Sequence, residues 1–235
     1  YNYLFYSLNC DFSQECVSFF SKGTTIMHSS DSTNYLKQPL PPKEDQIIIS
    51  DYLDEATKKL NKVIENKKRQ VDLIEEGKLL EIFNKISCGI NNKQFNDSNL
   101  EWIKSIPTNW KERPLKRLYN ITLGRMVQPK PKDEKSLFYP YLKAKNMSWS
   151  GIKLDEVESM WINFNELEYM KLKSGDLLVS EGGEVGKSSF FKGEIENCYF
   201  QNSLHRIREN EENNCLKYLY YVLFYCFYIG EIDKV

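Results

Sequence analysis

The residues best placed to do chemistry lie in one stretch, SEGGEVGKSSFF, from Ser180 to Phe191. Gly182 and Gly183 precede Gly186-Lys187-Ser188, which has the ending of a phosphate-cradling loop. Such a loop needs four residues between its first glycine and the Gly-Lys-Ser ending, so that successive backbone N–H groups wrap the phosphates. Counting back from Gly186, that first position is Glu181, and the spacing from Gly182 or Gly183 is too short. A helix should also begin at the Lys-Ser pair and present its positive end to the anion. Here the β-favouring Ser189-Phe190-Phe191 follows, and then Gly193. The stretch therefore reads as a strand (Asp176–Ser180), a glycine turn (Glu181–Gly186) and a second strand (Lys187–Phe191). Glu181 and Glu184 would also repel a phosphate. The spacing argues against nucleotide hydrolysis.

Other catalytic groupings are equally hard to assemble. The two histidines, His28 and His205, are far apart in sequence and read as structural or hydrogen-bonding residues. The six cysteines form no C-x-x-C pair and no Cys/His cluster, which argues against a structural zinc and fits small core thiols in a reducing cytosol. No nucleophile–histidine arrangement, nuclease carboxylate–lysine cluster or Asn/Asp-Pro-Pro-aromatic methyltransferase motif stands out. The sequence reads as a non-enzymatic part.

With 32 Lys+Arg against 33 Asp+Glu, no global charge points to a polyanionic partner. The charge is nonetheless segregated. Six basic residues between Lys58 and Arg69 accompany one acid, Glu65, and seven between Lys111 and Lys132 accompany only Glu112. Acids collect at Asp155–Glu168 and Glu209–Glu212. Such segregation permits a local anion-binding face; it is equally what solvated helix faces look like. The most apolar run, Tyr218–Ile229, has 12 residues, whereas a membrane span needs ~20. A soluble, cytoplasmic protein with no membrane partner is expected.

The elements that must hold these residues divide the 235-residue chain unevenly. Residues 1–22 read as an aromatic helix, followed by a short strand around Thr24–Met27. Pro39, Pro41 and Pro42 then forbid a helix until Pro42, which suits a first helical turn. From Lys43 to about Ser87 there is no proline and a single glycine, Gly77. Leu53, Leu60, Ile64, Val71 and Ile74 fall on a heptad spacing with Thr57 and Lys67 as polar members. A helix of that length extends about 65 Å, so pairing with another helix as a spacer is expected. The Gly/Asn-rich Ser87–Asn99 reads as a linker, and a mixed domain begins near Ile106, with short strands at Leu115–Tyr119, Leu177–Ser180 and Ser189–Phe191 and an aromatic helix near its end. Trp110, Trp149 and Trp161 read as core packing. Tyr3-Leu4-Phe5-Tyr6 and Leu8 are similar to Tyr218-Leu219-Tyr220-Tyr221 and Leu223, as if the chain were one period of a tandem repeat.

Four motifs carry a resemblance. IPTNWKERPLKRL (Ile106–Leu118), YPYLKAKNMSWSGI (Tyr139–Ile152), LKSGDLLVSEGGEVGKSSFF (Leu172–Phe191) and CYFQNSLHRIR (Cys198–Arg208) occur in an order that resembles a target-recognition domain of the specificity subunit of type I restriction–modification enzymes. Upstream, Lys22–His28, Pro39–Gln46 and the helix that follows resemble the end of such a domain and its spacer helix. The resemblance implies an α+β fold, a mixed α/β recognition domain attached to a long coiled-coil-forming helix. Residues 1–42 would be the end of a first recognition domain, 43–88 the spacer helix, 89–105 a linker and 106–235 a second domain, incomplete at its C-terminus. The chain is expected to be a fragment, a split gene product or a permuted half-subunit.

By resemblance the protein reads half of a split double-stranded DNA target and docks the methylation subunits and, through them, the restriction subunit. It carries no cofactor of its own, S-adenosylmethionine and ATP belonging to those partners. Readout of a half-site needs Arg, Lys, Asn and Gln on loops, with further basic groups on phosphates. The candidates are Arg125, Gln128, Lys130, Lys143, Lys145 and Asn146, with Lys187 and Ser188 flanking the glycine turn. Gln201, Asn202 and Arg206 join them, although alternation in CYFQNSLHRIR equally places these on the outer face of a strand. Leu53, Leu60, Ile64, Val71 and Ile74 are the candidate helix interface, open to self-association. The alternative is a coiled-coil scaffold whose globular part binds protein.

Overall fold

A computed structural model describes residues 2–11, 13–15, 39–210 and 215–232. The strand expected near Thr24–Met27, and His28 with it, lie outside the described residues. The chain divides within one long helix into two compact units, Tyr1–Glu75 and Glu76–Val235.

The first unit contains helix α1 (Asn2–Leu8) and most of helix α2 (Lys43–Cys88, 46 residues). Pro42 starts α2 as its fixed φ allows, with the Gln46 N–H donating to the Pro42 carbonyl at 3.0 Å and Glu44 and Asp45 complementing the positive end. Asp54 ties α1 to α2, accepting from Asn2 Nδ2 at 2.8 Å and the Tyr6 hydroxyl at 2.6 Å. The hydrogen bond to Asp54 raises the Tyr6 phenol above its ordinary pKa. Along the heptad seam Leu53 is half-buried, but Leu60, Ile64, Val71 and Ile74 are 50–71% exposed.

Among its described residues the second unit holds three small sheets. The segment 89–105, expected as a linker, contributes strand β1 (Phe95–Asp97), which pairs antiparallel with β2 (Ser105–Pro107). Its turn is organised by the Glu112 carboxylate, which accepts from Ser98 Oγ at 2.7 Å and from the Asn99 N–H at 3.0 Å. These bonds hold the Glu112 carboxyl below its ordinary pKa. Leu115–Tyr119, expected as a strand, divides instead into one helical turn, α3 (Leu115–Leu118), and strand β3 (Tyr119–Leu123). Pro114 opens the turn by accepting from the Arg117 N–H at 3.0 Å, and Leu, Lys and Arg are good helix formers.

The largest sheet is antiparallel, ordered β3-β9-β6-β7, with β6 at Leu177–Ser180, β7 at Ser188–Phe190 and β9 at Leu204–Glu209. The other is ordered β5-β4-β8, with β4 at Leu137–Leu142, β5 at Glu158–Ile162 and β8 at Tyr199–Phe200; β4 and β8 run parallel. Strand β6 is buried throughout. Alternation sends Leu178 into one core, with Leu142, Met160, Phe200 and Leu204, and Leu177 and Val179 into another. After the single turn α4 (Leu167–Met170), that second core is closed by helix α5 (Leu216–Tyr228) through Leu216, Leu219 and Leu223. A different side of α5 places Val222 and Cys226 against Ile82 and Ile86 of the last turns of α2. Thus both aromatic stretches that resemble each other, in α1 and α5, are helical.

Trp149 meets Tyr220, Phe224 and Phe227 edge-on at 5.5, 5.0 and 5.4 Å between ring centroids, while Trp110 lies against Tyr218 and Trp161 against Phe138. Cys198 and Cys226 are fully buried, and burial pushes their thiols up to about 12 and about 11. They act as small apolar residues. Among the described residues no helix is long and apolar enough to cross a membrane.

Candidate nucleic-acid interface

The glycine stretch forms an antiparallel hairpin. Leu177, Leu178 and Val179 pair with Phe190, Ser189 and Ser188. Gly183 and Gly186 adopt φ values of 75° and 81°, which a side chain disfavours. The Gly186 N–H donates to the Ser180 carbonyl at 2.8 Å and the Lys187 N–H to that of Glu184 at 3.1 Å, so these amides serve the turn and cradle no phosphate. Ser188 is fully buried and its hydroxyl donates to the Gly186 carbonyl at 2.7 Å. Lys187 forms an ion pair with Glu184.

Beside this turn, three loops meet: the one leaving β3 at Gly124, the one leaving β4 at Lys143, and the turn Gln201–Ser203 between β8 and β9. Their junction is a mesh of backbone bonds. Gly124 N–H donates to Leu204 at 2.9 Å, Arg125 N–H to Phe200 at 3.0 Å, Asn202 N–H to Arg125 at 2.9 Å and Gln201 N–H to Leu142 at 2.8 Å. The Ser203 hydroxyl accepts from the Ala144 N–H at 3.0 Å and donates to Gln201 Oε1 at 3.1 Å. The hairpin turn joins through the Glu181 N–H, which donates to the Ser203 carbonyl at 2.9 Å. Arg125, Lys143, Gln201 and Asn202 are thereby gathered at one junction. Gln128 is anchored nearby, its carbonyl accepting from the Trp161 N–H at 3.1 Å. Lys130 is exposed on the following turn.

Three of the expected contact residues are instead internal supports. Asn146 is 2% exposed; its Oδ1 accepts from the Lys143 N–H at 3.0 Å and its Nδ2 donates to the Lys153 carbonyl at 3.0 Å. It shapes the loop that presents Lys143 and Lys145. Ser188 serves the hairpin, as above. Arg206, also 2% exposed, donates from Nη1 to the Tyr169 carbonyl at 2.8 Å and from Nη2 to Thr122 Oγ1 at 3.1 Å, with its guanidinium over the Phe200 ring at 5.4 Å. Burial lowers the Arg206 pKa. The strand alternation that also allowed an outward Arg206 is resolved by β3, β9 and β6 being neighbours, which puts its side chain between layers.

The feature that sequence reading missed is the acid set. Arg125 pairs with Glu166, Lys143 with Glu158, Lys145 with Glu156 and Lys187 with Glu184. Glu158 also accepts from the Tyr141 hydroxyl at 2.5 Å. Its carboxyl is held below the ordinary range, first by Lys143 and then by Tyr141, and that of Glu156 by Lys145. Burial, then the bond to Glu158, pushes the Tyr141 phenol up to about 12. The acid-rich Asp155–Glu168 stretch was the available signal, but only the β4–β5 pairing puts Glu158 opposite Tyr141. His205 also faces a carboxylate, with Nε2 3.4 Å from Glu181 Oε2. Among the described residues no group of His, Cys, Asp and Glu could hold a metal ion.

Residues 107–231, more than half of the chain, match the family described as Type I restriction modification DNA specificity domain. Among solved structures, the HsdS subunit from Thermoanaerobacter tengcongensis is similar at a TM-score of 0.51 and 17% identity, over 100% of this chain and 54% of that one. A chain from work on complex assembly and conformational transition of the type I R-M system is similar at a TM-score of 0.61 and 17% identity, over 95% and 52% respectively. At that identity the likeness is one of fold, and the chain spans about half the length of each. A comparison with curated proteins found no match.

Proposed function

The chain belongs to the type I restriction modification DNA specificity domain family, and from that premise we propose that it reads half of a split double-stranded DNA target for a type I restriction–modification enzyme. The observation that carries this reading is the loop junction, where Gly124, Leu142 and Gln201 are knitted by backbone bonds so that Arg125, Lys143, Gln201 and Asn202 share one site. Loops held by a rigid sheet are suited to direct base readout, since they present amide and guanidinium groups while the backbone stays still. Lys130, Lys145 and Lys187 lie on flanking turns and serve phosphate contacts in this reading. Asn146, Ser188 and Arg206 support the loops.

In the same reading residues 1–42 close a preceding recognition domain, 43–88 form the spacer, and 106–235 form the reading domain. The exposed apolar seam of Leu60, Ile64, Val71 and Ile74, with Leu53 at its start, is the surface for a second spacer helix, whether of the same polypeptide or of another copy. The methylation subunits dock on that platform and recruit the restriction subunit in the cytoplasm. S-adenosylmethionine and ATP are bound by those partners, and this chain does no chemistry. The exposed seam also supports the second reading, a coiled-coil scaffold whose globular part binds protein.

The test is to assemble the full-length subunit containing this chain with its methylation subunits and sequence the methylated sites. Exchanging residues 124–130, 142–146 and 201–203 for those of a relative should change one half of the methylated motif and leave the other. An unchanged motif would sink the DNA reading in favour of the scaffold.

A further inference from the structure

Two of the acid–base pairs differ in a way that bears on how the loops discriminate between DNA sequences. Lys143 has only 22% of its side chain exposed, and its carboxylate partner Glu158, 56% exposed, is held a second time by the Tyr141 hydroxyl. Tyr141 is itself 4% exposed, and directly opposite Glu158 on the neighbouring strand. That lysine is therefore held by a carboxylate with a second anchor. Lys145 and Glu156 are 66% and 60% exposed, and among the described residues no third group holds their pair as Tyr141 holds Glu158. An ion pair so open to water contributes only about 0–1 kcal/mol. A DNA phosphate, itself an anion with several acceptor oxygens, can displace such a carboxylate easily, and displaces Glu158 less readily because the Tyr141 bond must also be given up.

We propose that Glu156 and Glu158 are specificity-determining residues that neutralise Lys145 and Lys143 on non-target DNA, so that the loops gain little from phosphates alone. This inference rests on the DNA reading above. Non-specific binding comes almost wholly from phosphate neutralisation, and each cation engaged adds about 0.9 to the slope of log affinity against log salt. A lysine that already carries a carboxylate releases no counterion from DNA until the carboxylate is displaced. The carboxylates thus lower affinity for arbitrary sequence more than for the target, where base contacts contribute as well. Of the two, Glu156 is displaced more readily and Glu158, held also by Tyr141, only where base contacts add to the phosphate.

The experiment uses the assembled enzyme carrying Glu156→Gln, Glu158→Gln, or both, and measures binding to a random-sequence duplex across a salt series, together with the methylated motif. Each substitution should tighten random-duplex binding and steepen the salt slope by about 0.9, so that the gain over the parent changes by about threefold across a fourfold change in salt. The methylated motif should become degenerate in the same variants. Adding Lys145→Ala to Glu156→Gln should return the slope to its original value. An unchanged slope in both single variants overturns the proposal while leaving the DNA reading intact, provided the unaltered enzyme still methylates a motif set by these loops. Loss of methylation without tighter random-duplex binding overturns it too, since the carboxylates would then be reading bases themselves. Failure of the loop exchange to move the motif removes the DNA reading instead.

Discussion

A Cβ on Gly124 would lie 2.0 Å from the backbone carbonyl oxygen of Gln201 and 2.8 Å from that of Phe200. No side chain fits there, because the strand leaving β3 and the turn after β8 approach as closely as two backbones can. The same approach sets Arg125 beside Gln201 as a parallel bridge pair.

Gly124→Ala should therefore separate the two loops. Forcing a methyl into a closed site costs about 1–3 kcal/mol, and here the obstructing atoms are backbone. Urea unfolding should show a loss at or above that range, and the methylated half-site should weaken even at temperatures where the variant stays folded. A variant as stable as the parent would mean that the loops are free to part.

Arg206 and Asp176 should behave as structural charges. Asp176 is 3% exposed and receives both Nε and Nη2 of Arg208, at 2.5 and 2.7 Å, and the Lys173 N–H at 2.8 Å. Removing one partner of a buried pair costs about 3–5 kcal/mol, and Asp176→Asn should lose that much in chemical denaturation. Arg206→Met keeps the packing but leaves carbonyls unbonded, at about 1–3 kcal/mol. Lys130→Ala, on an exposed turn, should leave unfolding within about 0.5 kcal/mol and instead reduce the salt slope of DNA binding by about 1.

Alkaline pH should unfold this protein through its phenols. Tyr141, Tyr199 and Tyr218 are each pushed up to about 12, first by burial, against an unfolded value near 10. The folded state holds these protons longer than the unfolded one, so stability is fully present below pH about 10 and is lost as pH rises toward 12. Phenolate absorbance should show a class of tyrosines that titrates late, coincident with loss of the folded circular-dichroism signal. Ordinary titration of all fifteen tyrosines near pH 10 would contradict the packing described.

The seam of α2 should govern association and not folding of the second unit. Ile64 and Val71 are 50% and 54% exposed. Ile64→Asn with Val71→Asn should shift sedimentation toward the smaller species and weaken recovery of methylation subunits. The thermal transition of the second unit should move by no more than a degree or two, as expected for exposed substitutions outside it. Unaltered association and recovery would remove the helix pairing.

Local chemistry alone made much of this protein legible. Proline placement and the absence of helix breakers bounded α2, because those effects act within one or two residues. Counting residues around Gly186 removed the phosphate loop, and the aromatic Ser189–Phe191 turned it into a hairpin, since turn and strand preferences are also short-ranged. Gly124 and Arg125 are legible as a flexible point beside a side chain suited to base readout. Sequence could not show that Gln201 would meet them, a contact between segments some seventy-five residues apart.

Tertiary structure decided which polar residues face water. Asn146, Ser188 and Arg206 had the right chemistry for DNA, yet the neighbours supplied by sheet pairing bury all three and engage Asn146, Ser188 and both Nη groups of Arg206 internally, leaving only Arg206 Nε without a partner among the described residues. Leu115–Leu118 became a helical turn once Pro114 closed it, overriding a weak strand preference. Pairing of β4 with β5 set Glu158 across from Tyr141 and within reach of Lys143. Residue type determines what a side chain can do, and it travels with the sequence. Whether that capacity is exposed, buried or neutralised depends on partners that only long-range strand order brings near.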